Sequence, residues 1–350
     1  MTTKTHTLTD ELSAIDWCYE QGWTDGLPVV PPARERVERF LMAAGRPPEE
    51  IVARHPATGR ECSVQSAAVN AVMAGCLPQY FPTVLAALEG LNEDAYNFHG
   101  STASTGGSAP VVIISGDIRD EIGMNASVNV FGPGNRANAT IGRAMRLVIM
   151  NIFQMIPGIS DRSTTGWPGK FGCCIAENIL NSPWEPLHVS LDFPPEVSTA
   201  TVFAASGFYN VENHYTSDPE LLLDTFADAM ASLGALTDGQ SLVVMSPEHA
   251  QIAASEGMSK QDVQAYLFEH ASRDPEEMVS KGKWPAGRPS DGLAEGDRGN
   301  GAFRRGRTPD DILLVVAGGE AGGHSAFLPS WSRGRNSIYQ TKAIGVCLDC

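Results

Sequence analysis

The segment NVFGPGNRANATIGRA, residues 129–144, combines glycines, asparagines and arginines at the predicted start of a helix. The first backbone N–H groups of a helix lack intrahelical acceptors and lie at the positive end of the helix dipole, so anions bind there. The planar guanidinium of Arg136 can clamp a carboxylate or a phosphate through two parallel hydrogen bonds. The segment therefore predicts an anion site that includes Arg136, Asn135 and Asn138.

A structural interpretation of the same residues is also open. Asn135 or Asn138 then caps the helix, while Arg136, Arg143 and Arg146 pair with acidic residues. The pattern is neither a Walker motif nor the Rossmann fingerprint, so it implies no nucleotide, and no motif in the sequence implies a cofactor.

Cys76 follows a predicted buried helix and precedes LPQYFP, where another helix is expected to begin. The dipole of that helix would lower the pKa of the thiol, which favours a nucleophile or a thiol redox centre. The alternative is a cysteine that serves as a small buried apolar residue.

Residues 166–188, GWPGKFGCCIAENILNSPWEPLH, concentrate reactive side chains without helical or strand periodicity. Glu177 and His188 are candidates for proton transfer. Lys170 is a candidate for binding the anionic substrate. We therefore expect this segment to contribute to the active site.

The segment STASTGGSAP, residues 101–110, is predicted to be a loop of hydroxyls and glycines that leads into a strand at residue 111. Loops at strand ends in α/β sheets commonly bind ligands. The alternative is a polar turn. The predicted substrate-binding residues of this loop are Ser101, Thr102, Ser104 and Thr105.

His324 follows a glycine-rich turn at the end of a predicted strand, in GGEAGGHS. That position suits a catalytic histidine that faces a ligand, and the alternative is a solvated loop histidine. The terminal CLDC has CxxC spacing, but a metal would need two more ligands from elsewhere, so no metal site is predicted.

The elements that must position these residues alternate along the chain. Runs of branched apolar residues predict buried strands at 109–116, 197–206 and 240–247, and DDILLVV begins a final one. Segments with helical spacing, such as ATIGRAMRLVIMNIF, lie between strands. This alternation predicts an α/β fold, a layered mixed sheet with flanking helices.

We expect two lobes in one compact unit. The N-terminal α/β lobe, residues 1–195, carries the glycine-rich anion-binding loops, and the C-terminal α/β lobe spans residues 196–350. Residues 283–307 contain almost no apolar side chains and are predicted to form a mobile loop.

Composition restricts the partners. The chain has 350 residues and a formal net charge of −16, so nucleic acid and anionic membranes are disfavoured. No apolar run approaches the roughly 18–20 residues of a membrane-spanning helix, and the N-terminus lacks the apolar core of a signal peptide. The seven cysteines, an odd number, are expected to be reduced thiols in the cytoplasm.

Several segments together resemble an uncharacterised bacterial family whose members are encoded beside, or fused to, small UGSC-type proteins with a Cys- or selenocysteine-Gly-Ser-Cys motif. The segments are WTDGLPVVPP, AVNAVMAGCLPQYFPTVLAALE, GPGNRANATIGRAMRL, AENILNSPWEPLH and VVAGGEAGGHSAFLP. The resemblance implies an enzyme or enzyme subunit of small-molecule metabolism, with a small (seleno)cysteine protein as partner. The motif itself is absent from this chain, and the resemblance assigns no catalytic residue.

These observations favour a cytosolic enzyme that acts on a small anionic metabolite, a carboxylate or an acyl compound. Its predicted chemistry is cysteine-assisted cleavage of a carbon–heteroatom bond, as a lyase or hydrolase, or thiol redox chemistry. The alternative is a non-catalytic subunit that binds the substrate for a thiol or selenol enzyme. A metal-dependent enzyme ranks below both, and a homo-oligomer is compatible with either.

Overall fold

The structure, a computed structural model, describes residues 5–8, 10–283 and 302–345. The helices are α1 (Glu11–Glu20), α2 (Arg34–Ala44), α3 (Val64–Ala74), α4 (Phe81–Asn92), α5 (Phe98–Ala103), α6 (Ile118–Glu121), α7 (Arg136–Asn151), α8 (Leu187–Ser190), α9 (Pro219–Met230), α10 (Pro247–Ala254), α11 (Lys260–His270) and α12 (Pro275–Ser280). The strands are β1 (Ile51–Arg54), β2 (Glu61–Ser63), β3 (Ala109–Ser115), β4 (Cys174–Ala176), β5 (Thr199–Ala205), β6 (Tyr209–Glu212), β7 (Ser241–Met245), β8 (Ser272–Arg273), β9 (Phe303–Arg304), β10 (Ile312–Val316), β11 (His324–Pro329) and β12 (Gln340–Ala343).

Two four-stranded mixed sheets form the centre of the described protein, with strand orders β12-β5-β3-β4 and β10-β7-β11-β6. In the first sheet β3 is parallel to β4 and antiparallel to β5. In the second, β7 is parallel to β10 and antiparallel to β11. The fold is therefore layered α/β with mixed sheets and flanking helices, as the sequence predicts.

Alternate side chains of each strand belong to different layers. Val111 and Ile113 of β3 pack with Leu313 and Val315 of β10 between the two sheets. Val112 faces the other way, into a core built with α3, α4 and α7, while the outer face of the second sheet packs against α9, α10 and α11. The resulting order of layers is helices, sheet, sheet, helices. Strands β3, β5, β7 and β10 are buried on both faces, which explains why these strands are continuous apolar runs.

The two sheets repeat one arrangement of strands. In each, a strand, a helical crossover, a parallel strand and a reversed strand follow one another: β3-α7-β4-β5 and β7-α10-α11-β10-β11. The fourth strand of the first sheet is β12, from the other end of the chain. The expected division at residue 195 therefore does not coincide with the division between the sheets, because β5 and β12 lie beyond it and pair within the first sheet.

The carboxyl ends of the parallel strands meet at one end of the molecule, which we call the carboxyl edge. The amide of Asn178, just after β4, donates to the carbonyl of Val316 at the end of β10, at 2.7 Å. The amide of Ala317 donates to the carbonyl of Met245 at the end of β7, at 3.0 Å. Ligands of α/β proteins commonly bind at such an edge.

The predicted mobile loop, residues 283–307, lies mostly outside the described residues. Its last part, residues 302–307, is packed, which corrects the prediction there. Phe303 and Arg304 form β9, paired with β8, and Arg305 is completely buried. The polar composition of the segment wrongly predicts a mobile loop here, because the side chain of Arg305 has hydrogen-bond partners inside the protein.

Within the described residues, no helix combines the length and apolar character that crossing a membrane requires.

Candidate functional site

The two asparagines at the start of α7 have structural roles. The Asn135 side chain accepts a hydrogen bond from the Asn138 amide at 3.1 Å, so Asn135 is the N-cap. The Asn138 side chain is buried and bonds both backbone groups of Asn125, at 3.0 and 2.8 Å. The capping alternative is confirmed for Asn135, and the amide group of Asn138 is occupied within the protein.

Two of the arginines in this helix hold the scaffold together. Arg143 donates from Nε and Nη2 to the carboxylate of Asp25, both at 2.8 Å. Arg146 is buried and donates to the carbonyl of Lys170 at 2.5 Å. Burial lowers the pKa of Arg146, while the charge of Asp161 partly offsets this. Neither guanidinium is placed to bind a substrate.

Arg136 is arranged differently. It is the exposed first residue of α7, and its Nε donates to the carbonyl of Gly75 at 2.9 Å. In the described part of the chain its two terminal amino groups have no ion pair or hydrogen bond. One anchored nitrogen fixes the guanidinium and leaves a fork of N–H donors beside the amino end of the helix.

Cys76 lies next to this arginine, but it is not an activated thiol. Its side chain is buried, and Sγ donates to the carbonyl of Thr140 at 3.3 Å. Burial raises the pKa of Cys76 to about 12, and the nearby charges of Arg136 and Arg143 counter this only in part. The predicted lowering of its pKa is wrong because the thiol is buried beneath α7, whose Thr140 carbonyl it contacts.

The structure brings Glu177 and His188 together through a third residue, Ser115. Glu177 directly follows β4, Ser115 ends β3, and His188 lies in α8. The Ser115 hydroxyl donates to the Glu177 carboxylate and lies 2.7 Å from His188 Nδ1. The Leu187 amide donates to both carboxylate oxygens, at 3.0 and 2.9 Å. Sequence reasoning missed Ser115, whose one signal was its place at the end of an apolar strand.

A further hydrogen bond fixes the other side of the imidazole. His188 Nε2 donates to the carbonyl of Pro195 at 3.1 Å. Each of the three residues is at most 2% exposed, so their polar groups depend on one another for hydrogen bonds.

The hydroxyl residues do not line this edge. Ser101 and Thr102 lie in α5 and donate to the carbonyl of Phe98, at 3.0 and 2.8 Å, so this part of the predicted loop is helical. The Ser104 hydroxyl accepts from an amide two residues later, and the carbonyl of Thr105 accepts from Thr164. These residues precede β3 and therefore lie at the opposite end of the sheet from its carboxyl edge.

Lys170 also lies away from the carboxyl edge, before β4. Its ammonium group donates to Asp161 and to Ser163, both at 2.5 Å. Burial lowers the pKa of Lys170, and the hydrogen bond with Asp161 opposes that effect. The lysine is thus committed to an internal ion pair.

His324 is exposed at the carboxyl edge, as the first residue of β11. It lies opposite Glu212 of β6 in the antiparallel ladder, and its ring centroid is 5.0 Å from that of His214. The ligand atoms of these three residues all lie within 4.8 Å of one another, so they are able to hold a metal ion. Sequence reasoning missed Glu212 and His214, although alternate residues of a strand share a face.

The Glu177–Ser115–His188 network and His324 lie at ends of strands on the carboxyl edge, and Arg136 begins the helix that follows β3, while Lys170 and the hydroxyl segment lie elsewhere. Comparison of the chain with protein-family models, with curated proteins and with solved structures finds no match.

Proposed function

We propose that the chain is an enzyme that binds a small anionic metabolite, a carboxylate or an acyl compound, at the amino end of α7. The observation that carries the proposal is the arrangement of Arg136, which is exposed and, among the residues that the structure describes, is anchored only through Nε to Gly75. Arg143 and Arg146 are held inside the protein. The cluster therefore keeps one planar fork of donors for a ligand.

Electrostatics make this a short-range site. The net charge of −16 repels anions at a distance, and salt screens charges separated by more than about 10 Å. A bidentate contact to Arg136 acts inside that distance. A charge-assisted hydrogen bond contributes about 1.5–3 kcal/mol, which corresponds to roughly 10–150-fold in affinity.

For the chemistry we propose cleavage of a carbon–heteroatom bond assisted by proton transfer. The Glu177–Ser115–His188 network supports this proposal, because it joins a carboxyl group, a hydroxyl and an imidazole by hydrogen bonds. A thiolate is less well supported, because Cys76 with a pKa of about 12 keeps its proton at neutral pH.

A second candidate is a binding subunit that delivers its ligand to a thiol or selenol partner, such as the small (seleno)cysteine protein implied by the family resemblance. The favouring observation is that burial raises the pKa of each cysteine in the described part of the chain, namely Cys18, Cys62, Cys76, Cys173 and Cys174. A thiol mechanism would then need a thiolate from elsewhere. These cysteines form no disulfide with one another, which fits the cytoplasm as the proposed compartment.

Calorimetry with acetate, succinate and inorganic phosphate tests the anion site. Arg136→Ala should lower the affinity for the best of these ligands by about 10-fold or more, and Arg136→Lys should recover little because a point charge does not replace a planar fork. Arg39→Ala, which removes an exposed arginine of α2, is the matched control and should bind as wild type. Equal affinity of wild type and a folded Arg136→Ala variant would refute the proposal.

A turnover assay separates the two candidates. The isolated chain should convert acyl or β-substituted carboxylate substrates without added thiol if it is the enzyme. If it binds the ligand but turns over only with a thiol or selenol partner present, it is the binding subunit.

A further inference from the structure

We propose that Glu212, His214 and His324 form a binding site for a divalent transition metal ion of the zinc or ferrous iron type. The site goes beyond the proposed anion-binding function and does not depend on it. It lies at the carboxyl edge of the second sheet, where β6 ends and β11 begins.

The β-ladder places the three side chains on one face. Glu212 and His324 are direct partners in the register of β6 and β11. His214 follows Glu212 by two residues, and the ladder continues past β6 because the Asn213 amide donates to the carbonyl of Gly323 at 2.9 Å. Residues two apart in an extended chain point to the same side. The convergence is therefore imposed by the backbone.

The distances fit a single ion. His214 Nε2 lies 3.4 Å from Glu212 Oε1, and all three ligand atoms are within 4.8 Å of one another. Ligands at about 2.1 Å from a tetrahedral zinc ion are about 3.4 Å apart. The three side chains are exposed, so their side-chain torsions can adjust to a bound ion.

The donor set selects the class of metal. Two imidazoles and one carboxylate are the ligands of many catalytic zinc sites and of the facial triad that binds ferrous iron. Imidazole disfavours calcium and magnesium, which prefer oxygen ligands. Three protein ligands leave positions for water or a substrate oxygen, and solvent reaches this face directly.

Hydrogen bonds behind the ligands hold the backbone in place. The carbonyl of Asn213, between two of the ligands, accepts from Nε2 of the buried His249 at 3.0 Å. His249 Nδ1 lies 2.7 Å from the Ser325 hydroxyl, next to the third ligand. Glu248 accepts from the amides of Gly322 and Gly323, at 2.7 and 2.8 Å, and thereby fixes the turn before His324.

Two further residues affect the imidazoles, one by leaving space for a ring and the other through a hydrogen bond. A Cβ atom at Gly323 would lie 2.4 Å from His214 Nδ1, and Gly323 has a φ of 59°, so glycine gives the ring its space. The side-chain amide nitrogen of Asn210 lies 3.0 Å from His324 Nδ1. A flip of this amide group would bring its oxygen to the same place, where it accepts the Nδ1 proton and leaves Nε2 for the metal.

Titration of the full-length protein with Co²⁺ tests the proposal, because visible absorption reports the ligand type. We expect one strong site without a thiolate-to-cobalt charge-transfer band. His214→Gln, His324→Gln and Glu212→Gln should each weaken binding by at least about tenfold. His270→Gln removes another half-exposed histidine, on α11, and should bind as wild type.

Further variants separate this site from others in the chain. Cys347→Ser/Cys350→Ser removes the terminal CxxC, and Arg136→Ala removes the proposed anion contact; both should retain the cobalt site. Unchanged affinity in His324→Gln, or loss of binding in the cysteine variant, would overturn the proposal. Because the readout is metal binding, it stands or fails separately from the anion measurements.

Discussion

Arg143 and Asp25 are joined by two hydrogen bonds of 2.8 Å, in which Nε donates to Oδ2 and Nη2 donates to Oδ1. The Asp25 side chain is only 3% exposed, and the same guanidinium also donates to the carbonyls of Leu27 and Pro28. An acidic chain thus carries arginines in α7 partly to fasten the N-terminal segment to the helix. Of the cluster, Arg136 is the arginine that remains free for another role.

Asp25→Asn should destabilise the protein by about 3 kcal/mol, because it leaves a largely buried cation without its counter-charge. Urea denaturation measures this loss. Asp228→Asn, which changes an exposed carboxylate of α9, is the control and should alter the free energy of unfolding by less than about 0.5 kcal/mol. If both variants unfold alike, the ion pair contributes nothing to stability.

Ser115→Ala should cost about 2–3 kcal/mol of unfolding free energy, because Glu177 and His188 both lose the hydroxyl between them while staying buried. Ser255→Ala, at an exposed serine, is the matched control. The effects of Ser115→Ala and Glu177→Gln should not add in the double variant, since the residues share one network. Full additivity would contradict the hydrogen-bonded arrangement.

The stability of the protein should fall at alkaline pH, in part because of Cys76. Burial raises the pKa of this thiol from 9.0 to about 12, so between these values the folded state keeps a proton that the unfolded chain loses. The stabilisation is complete below pH 9 and is lost as the pH rises toward 12. Cys76→Ala should therefore reduce the loss of unfolding free energy between about pH 8 and about pH 10 by about 1.4 kcal/mol.

Two observations check this pH effect. Ser255→Ala, which removes no thiol, should keep the pH dependence of the wild type. Iodoacetamide should modify Cys76 in the unfolded chain and not in the native protein, because the thiol is buried. Rapid modification of native Cys76 at neutral pH would instead indicate an activated nucleophile.

Local sequence signals predicted much of the fold. The branched apolar runs that became β3, β5, β7 and β10, and the Asn135 cap of α7, depend on neighbouring residues alone. What the sequence could not show depends on distant contacts. The thiol of Cys76 is buried because α7 covers it, and β12 joins the first sheet from the far end of the chain.

The candidate sites also divide into those that local sequence predicts and those that depend on distant contacts. The anion-binding prediction for Arg136 used only the local glycine-rich segment. The pairing of Glu212 with His324 depends on the register between two strands that lie far apart in sequence. Glu177 and His188 were selected by residue type, but Ser115, which joins them, comes from another strand. Side-chain type therefore selected candidates, and only the assembled sheets showed which of them meet.

Arg305 provides a test of the packed end of the polar segment 283–307. It is completely buried, and its Nε donates to the Ser241 hydroxyl at 2.8 Å. Nη1 donates to the carbonyl of Ala235 at 2.6 Å, and the guanidinium lies 5.2 Å from the ring centroid of Phe327. Burial lowers the pKa of Arg305 to about 9, so the cation is costly to bury and depends on these partners.

Arg305→Lys should therefore destabilise the protein by about 2–4 kcal/mol, because an ammonium group cannot reproduce the planar set of donors. Arg39→Lys, at an exposed arginine, should change the free energy of unfolding by less than about 0.5 kcal/mol. Hydrogen exchange gives a second measurement: the Arg305 amide donates to the carbonyl of Ala271 at 2.9 Å and should exchange slowly in the wild type and faster in Arg305→Lys. Fast exchange of this amide in the wild type would mean that residues 302–307 belong to a mobile loop after all.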